Sequence, residues 1–173
     1  MLMHTTGFAC SADADARLLI LGSMPGRKSL MEAQYYAHPG NTFWPIMGEL
    51  FDFDAALDYQ QRLACLRQAG VALWDVAYSC QRPGSLDASI NMQTVIANDF
   101  TGFFQAQPQI QAVFFNGRKA AELYCRLVVP ALPEPWKSLA CMTLPSTSPA
   151  HASLRMADKL KQWMQIRSAM HAR

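Results

Sequence analysis

Leu18-Leu19-Ile20-Leu21-Gly22-Ser23-Met24-Pro25-Gly26 is the stretch whose reading decides the fold. An apolar run with no alternation reads as a strand covered on both faces, as in the middle of a parallel sheet. It stops at a turn bounded by Gly22 and Gly26, with Pro25 inside it. Beyond a short polar loop, Tyr35-Tyr36-Ala37-His38-Pro39-Gly40-Asn41-Thr42-Phe43-Trp44 brings aromatics, a His and an Asn close behind the strand end. That order is the order of a binding-site mouth.

Working outward, the same alternation repeats. Residues 42–51 have apolar side chains at helical spacing, and Asp54 is expected to cap a helix from Ala55 to Ala69 that Gly70 ends. Val71 to Val76 reads as a second strand followed by a long loop through Arg82-Pro83-Gly84. Asn98 or Asp99 opens a short helix that stops before Pro108. Ile110 to Phe115 is the third strand, Asn116-Gly117 its turn, and Arg118 to Val128 the next helix. Leu139 to Leu144 is the fourth strand, Pro145 to His151 a Ser/Thr/Pro turn, and Ala152 to Ala169 a final helix. Strands alternating with helices predict an α/β fold of three layers, α/β/α, around a four-stranded parallel sheet. Residues 1–173 are expected to form one domain, with residues 1–16 as a loosely held arm.

The totals exclude more than they assign. A hydrophobic fraction of 51% with 16% charged residues is that of an ordinary globular chain. No window reaches the roughly 18 uninterrupted apolar residues of a membrane span. The N-terminus has no basic start and apolar run of a secretory signal, so a cytoplasmic location is expected. Cys10, Cys65, Cys80, Cys125 and Cys141 form no Cys-x-x-Cys pair, which predicts buried thiols and neither disulfides nor a metal site. A net charge of +2 leaves nucleic-acid binding to local patches.

In a parallel sheet, ligands bind beyond the carboxyl ends of the strands, so residues 22–26, 75–84, 116–119 and 145–151 converge on one rim. That rim holds neither nucleotide-phosphate glycine motif and no Gly-x-Ser-x-Gly elbow. It offers Asn41, able to hold a water by accepting and donating; Tyr35 or Tyr36, able to stack on a planar ring; and Asp75, able to accept from a ring N–H. Ser146, Thr147, Ser148 and His151 can bind a phosphate through hydroxyls and backbone N–H groups. Each has an ordinary reading as well. Asn41 precedes a helical run and reads as a helix cap or turn residue; Tyr36 reads as core; Asp75 reads as a turn former or a partner of Arg82; His38 and His151 fix loops. Asn116-Gly117 is a plain turn signal.

The order of the blocks resembles the uracil-DNA glycosylase superfamily, and most closely its DNA-deoxyinosine (hypoxanthine-DNA) glycosylase branch. The resemblance rests on Gly22 to Gly26, Tyr36 to Trp44, Leu73-Trp74-Asp75-Val76, Gly84-Ser85-Leu86-Asp87, Phe115-Asn116-Gly117 and Leu144 to Ala150. Mismatch-specific uracil glycosylases look similar through the His-Pro-x-Asn-x-Phe-Trp block, but they carry a catalytic Asn in the first motif, where Met24 stands here. The resemblance therefore implies that Asn41 positions the attacking water. It places the stacking aromatic on Tyr36 and the base-reading side chain on Asp75, with Ser23, Met24 and Asn116 beside the base. For a glycosylase activity of this kind the DNA clamp is assigned to Ser146, Thr147 and Ser148, with Pro149, Ala150 and His151 as candidates for the wedge and Arg155, one turn into the last helix, as a cationic contact.

The activity implied is hydrolysis of the N-glycosidic bond of a flipped, deaminated base in base excision repair, hypoxanthine first and uracil or xanthine beside it, with no metal or other cofactor and DNA as the partner. Hypoxanthine offers a ring N1–H where adenine offers a bare acceptor, so an ionised Asp75 would accept the one and repel the other. Two competing readings remain: a module of the same fold that grips damaged bases without cutting, which would need no Asn41, and a small-molecule nucleoside hydrolase, which would need no phosphate clamp.

Overall fold

The computed structural model describes residues 4–172. A four-stranded, all-parallel sheet in the order β3-β2-β6-β7 forms its centre, built from β2 (Leu18–Gly22), β3 (Val71–Asp75), β6 (Ala112–Asn116) and β7 (Ala140–Leu144). Every residue of β2 is buried, because alternate side chains enter opposite cores. Leu19 and Leu21 pack with Phe100, Phe104 and Leu123, on the side of α4 (Phe100–Ala106) and α5 (Arg118–Leu123). Leu18 and Ile20 pack with Phe43, Ile46, Leu66 and Trp163. Those residues lie on α2 (Phe43–Phe51), α3 (Tyr59–Gln68) and α6 (Met156–Trp163), the last followed by α7 (Gln165–His171). Helices on both faces of the sheet make the three layers expected.

Several local expectations are corrected. Residues 4–16 are not a loose arm. β1 (His4–Thr6) pairs antiparallel with β4 (Ala77–Gln81), Ser11 bridges Leu73, and Ala16 is buried. Residues 1–3 of that arm, like residue 173 of the expected domain, lie outside the described residues. β4 also pairs with β5 (Ile96–Ala97), so a second, three-stranded sheet stands where the sequence reading placed a long loop.

The polar loop after β2 contains a short helix, α1 (Arg27–Glu32). The cap of α3 is Asp58, whose carboxylate accepts from the Gln61 N–H while the Gln61 side chain accepts from the Asp58 N–H, a reciprocal capping box. Asp54 only accepts from Ala56 in a local turn. The final helix starts at Met156, four residues later than expected, and is interrupted at Met164. All five cysteines are free, but Cys10, Cys125 and Cys141 are exposed, so only Cys80 fits the buried-thiol expectation fully.

Among the described residues no helix is long and apolar enough to cross a membrane. Nor do three or more His, Cys, Asp or Glu side chains gather there as a metal site.

Candidate active site

The carboxyl ends of β2, β3, β6 and β7 open into a cavity of about 1030 Å³. That is at the upper end of the roughly 300–1,000 Å³ typical of small-molecule sites, roomy enough for a base with its sugar and phosphates. Ser23, Met24, Tyr36, Asn41, Asp75 and Asn116 all line it, as does the turn from Ser146 to His151. The side chains singled out from the sequence are thus brought together, with the exceptions given below.

Gly22 is the hinge of the floor. A Cβ there would lie 2.4 Å from Asp75 Oδ1 and 2.9 Å from the Tyr36 hydroxyl, so any side chain would displace both. Asp75 is 3% exposed and its Oδ2 has no hydrogen-bond partner among the described residues. Burial, then the nearby charge of Asp87, pushes its carboxyl up to about 7, with Arg82 opposing. The Tyr36 hydroxyl is likewise buried without a partner. Burial and the Asp75 charge hold that phenol well above its ordinary value.

Tyr36 itself has φ +55°, a left-handed conformation costing about 1–3 kcal/mol in a residue other than glycine. Its ring stacks on Phe43 at 4.0 Å between centroids and 28° between planes. Phe43 is fully buried and α2 fixes it, so the aromatic floor is rigid. Two residues earlier, Asn41 Oδ1 accepts from the Phe43 N–H at 2.9 Å, the turn-forming role read as its ordinary alternative. The Asn41 side-chain amide donates to no protein group among the described residues, and the second lone pair of its oxygen is also unused.

Two contacts absent from the sequence reading hold the first turn. The buried Arg82 guanidinium donates to the carbonyls of Met24, at 3.4 Å, and Pro25. No ion pair joins it to Asp75 among the described residues, so the reading of Asp75 as its partner is replaced by this carbonyl clamp. The Ser23 hydroxyl donates to Asp87 Oδ1 at 2.6 Å. The backbone N–H groups of Ser23 and Met24 meet no protein acceptor among the described residues, and both residues face the cavity.

The last turn is built differently from expectation. Asn116 and Thr147 hold each other: the Asn116 amide donates to Thr147 Oγ1 and the Thr147 N–H donates to Asn116 Oδ1, both at 2.9 Å. The Thr147 residue is 1% exposed, with its hydroxyl oxygen taken by Asn116, and Asn116 gives one of its two amide N–H groups to the turn. The turn's N–H groups are largely committed too, Ser148 to Ser146 Oγ, Ala150 to Ser148 Oγ and His151 to the Ser148 carbonyl. The hydroxyl protons of Ser146 and Ser148 remain free to donate.

Gly117, at φ +93°, lets Ser146 approach, since a Cβ there would sit 3.1 Å from that of Ser146. Lys159 Nζ donates to the His151 carbonyl at 2.8 Å and Trp163 Nε1 to that of Pro145 at 2.9 Å, so α6 pins both ends of the turn. Arg155 caps α6 outside the cavity and pairs with Asp158 at 3.6 Å, well away from the helical position expected for it. The Thr42 N–H donates to the Thr147 carbonyl at 3.1 Å, which seats Asn41 against the last turn.

Asp87, Arg82, Lys159 and Trp163 are the contributors that sequence reasoning missed. Asp87 carried a signal, since it is the one carboxylate of the Gly84-Ser85-Leu86-Asp87 block. Arg82 was named only as a partner of Asp75, and nothing local marked Lys159 or Trp163.

The comparisons agree with this geometry. Residues 10–167 match the profile of the Uracil DNA glycosylase superfamily, and the chain belongs to that superfamily. Proteins named Hypoxanthine DNA glycosylase from Methanosarcina barkeri (strain Fusaro / DSM 804) and Methanosarcina acetivorans are each 37% identical to it over 121 residues, 69% of this chain and 75% of theirs. The name of these relatives is that of the branch which the order of the six sequence blocks resembles. The solution NMR structure of a candidate uracil DNA glycosylase from Methanosarcina acetivorans superposes with a TM-score of 0.80 at 31% identity, covering 98% of this chain and 100% of that one.

Proposed function

We propose that the protein is a monofunctional DNA glycosylase that hydrolyses the bond between deoxyribose and a flipped deaminated base, hypoxanthine first, with uracil and xanthine as further substrates. The observation that carries this reading is the Asp75 carboxyl, buried and unpartnered at the floor of a cavity that also holds the Tyr36 ring and the Asn41 amide. A buried polar group left unsatisfied costs about 1–3 kcal/mol. For the ionised carboxylate a ring N1–H of hypoxanthine, or N3–H of uracil, removes that cost, and a bare ring nitrogen, which has no proton to give, does not.

In the reaction the C1′–N bond breaks with its electron pair leaving on the base, a water oxygen forms the new bond to C1′, and the proton that water sheds balances the one the departing base takes up. Asn41 holds that water through its free amide and remaining lone pair. The free N–H groups of Ser23 and Met24 receive the carbonyl on which the leaving base gathers charge, the role that preorganised backbone donors play in other transition states. Tyr36, backed by Phe43, stacks on the base and returns about 1–3 kcal/mol of the flipping cost. Ser146 and Ser148 donate to the phosphodiester, and Pro149 to His151 fill the vacated stack.

Incubating the protein with duplexes carrying deoxyinosine, deoxyuridine or deoxyxanthosine, then cleaving abasic sites with alkali, tests the reading. Strand cleavage with deoxyinosine is expected. Binding of these duplexes without cleavage would replace the enzyme with a damaged-base-binding module.

A further inference from the structure

Leu86 stands at the mouth of the cavity with 57% of its surface exposed, on a loop that is anchored on both sides of it. Before it, Ser85 Oγ accepts from the Arg27 N–H at 2.8 Å; after it, Asp87 accepts from the Ser23 hydroxyl. The Ser89 N–H closes a turn onto the Leu86 carbonyl at 3.0 Å, and the buried Ile90 fastens the end of the loop into a small core with Met24. A large aliphatic side chain is thus fixed in water beside the site, when a slack loop would let it fold inward. The sheet order puts β3, from which this loop follows through β4, at one edge and β7 with the Ser146–His151 turn at the other. The two loops therefore reach the cavity from opposite sides.

Resting on the glycosylase reading above, we infer that Leu86 is a second wedge. When the target nucleotide turns into the cavity, the Leu86 side chain enters the duplex from the side opposite Pro149 to His151 and covers the base-pair face left bare. An aliphatic side chain has nothing to offer a base edge, so the contact is indifferent to sequence and needs a stack to enter. Leu86 then makes the protein prefer duplex to single-stranded substrate.

The test compares wild type, Leu86→Ala and Leu86→Met, matched in melting temperature, by single-turnover base release from duplex and single-stranded deoxyinosine substrates. A 2-aminopurine beside the lesion reports the opening of the stack. Leu86→Ala should lose about tenfold or more on duplex and change less than about twofold on single strands, with Leu86→Met close to wild type. The 2-aminopurine response to wild type should also collapse in Leu86→Ala. Equal rates on duplex, or equal losses on both substrates, would overturn the wedge. If wild type releases no base at all, the glycosylase reading falls, and the 2-aminopurine response alone decides: its loss in Leu86→Ala supports the wedge, its persistence overturns it.

Discussion

Asn116 and Thr147 hold each other by two reciprocal hydrogen bonds across the end of the sheet, amide to hydroxyl and N–H to amide oxygen, each at 2.9 Å. The pair ties the end of β6 to the turn that carries Ser146 and Ser148. Asn116→Ala leaves a buried N–H and a buried hydroxyl without partners. At about 1–3 kcal/mol for each such group, a loss of about 2–6 kcal/mol is expected. Urea unfolding would show it as a lowered midpoint with an unchanged slope. A midpoint within error of wild type would mean that the turn finds other partners.

Asp75 makes pH the second lever. Its ordinary value is 3.8 and its folded value about 7, so between those values the folded chain holds a proton that the unfolded chain has lost. Stability from this group is therefore full below about pH 4 and is lost as pH rises through about 7. Asp75→Asn removes the term, so its stability relative to wild type should be greater at pH 8 than at pH 4. Thermal melts at the two values check the sign; a difference independent of pH would place the carboxyl in a different environment.

The same group should shape activity. If the ionised carboxylate reads N1–H, base release from deoxyinosine DNA should rise with pH through about 7 in the wild type. In Asp75→Asn that rise should vanish and the ranking of hypoxanthine and uracil should change. A wild-type profile flat from pH 5 to 9, with the ranking kept in the variant, would make Asp75 structural.

Tyr36 separates ring from hydroxyl. Its hydroxyl is buried without a partner, so Tyr36→Phe should keep both the stack on Phe43 and base release, with stability equal or higher by up to about 1 kcal/mol. Tyr36→Ala should lose about 1–3 kcal/mol of binding, read as a KM or Kd raised about 5- to 150-fold. Equal defects in the two variants would assign the role to the hydroxyl.

What the sequence made legible follows from how local each signal is. β2 was readable because burial on both faces leaves no polar position in Leu18 to Leu21. The cavity was readable because strand ends in a parallel sheet share one rim, whatever the helices do. The cap of α3 was within reach, since Gln61 stands three residues after Asp58, and Asp54 has no such partner. The second sheet was hidden because β1 and β5 have only three and two residues, β4 carries no continuous apolar run, and all three form only through pairings across the chain. The commitment of Asn116 to Thr147, 31 residues away, and of Ser23 to Asp87, 64 away, is invisible to any local pattern. Residue types told which groups were at the site, and only the structure told which were already spoken for.

The central claim is that Asn41 holds the attacking water, and its turn contact to Phe43 must be separated from that role. Asn41→Ala loses both; Asn41→Ser keeps an acceptor for the Phe43 N–H but has no amide, and the turn hydrogen bond itself is worth about 1 kcal/mol. The direct measurement is single-turnover release of hypoxanthine from duplex DNA by wild type and both variants, with folding checked by melting. Both variants are expected to fall at least about 100-fold while staying folded, a loss of about 2.7 kcal/mol or more in transition-state stabilisation. Wild-type rates in either variant would contradict the account.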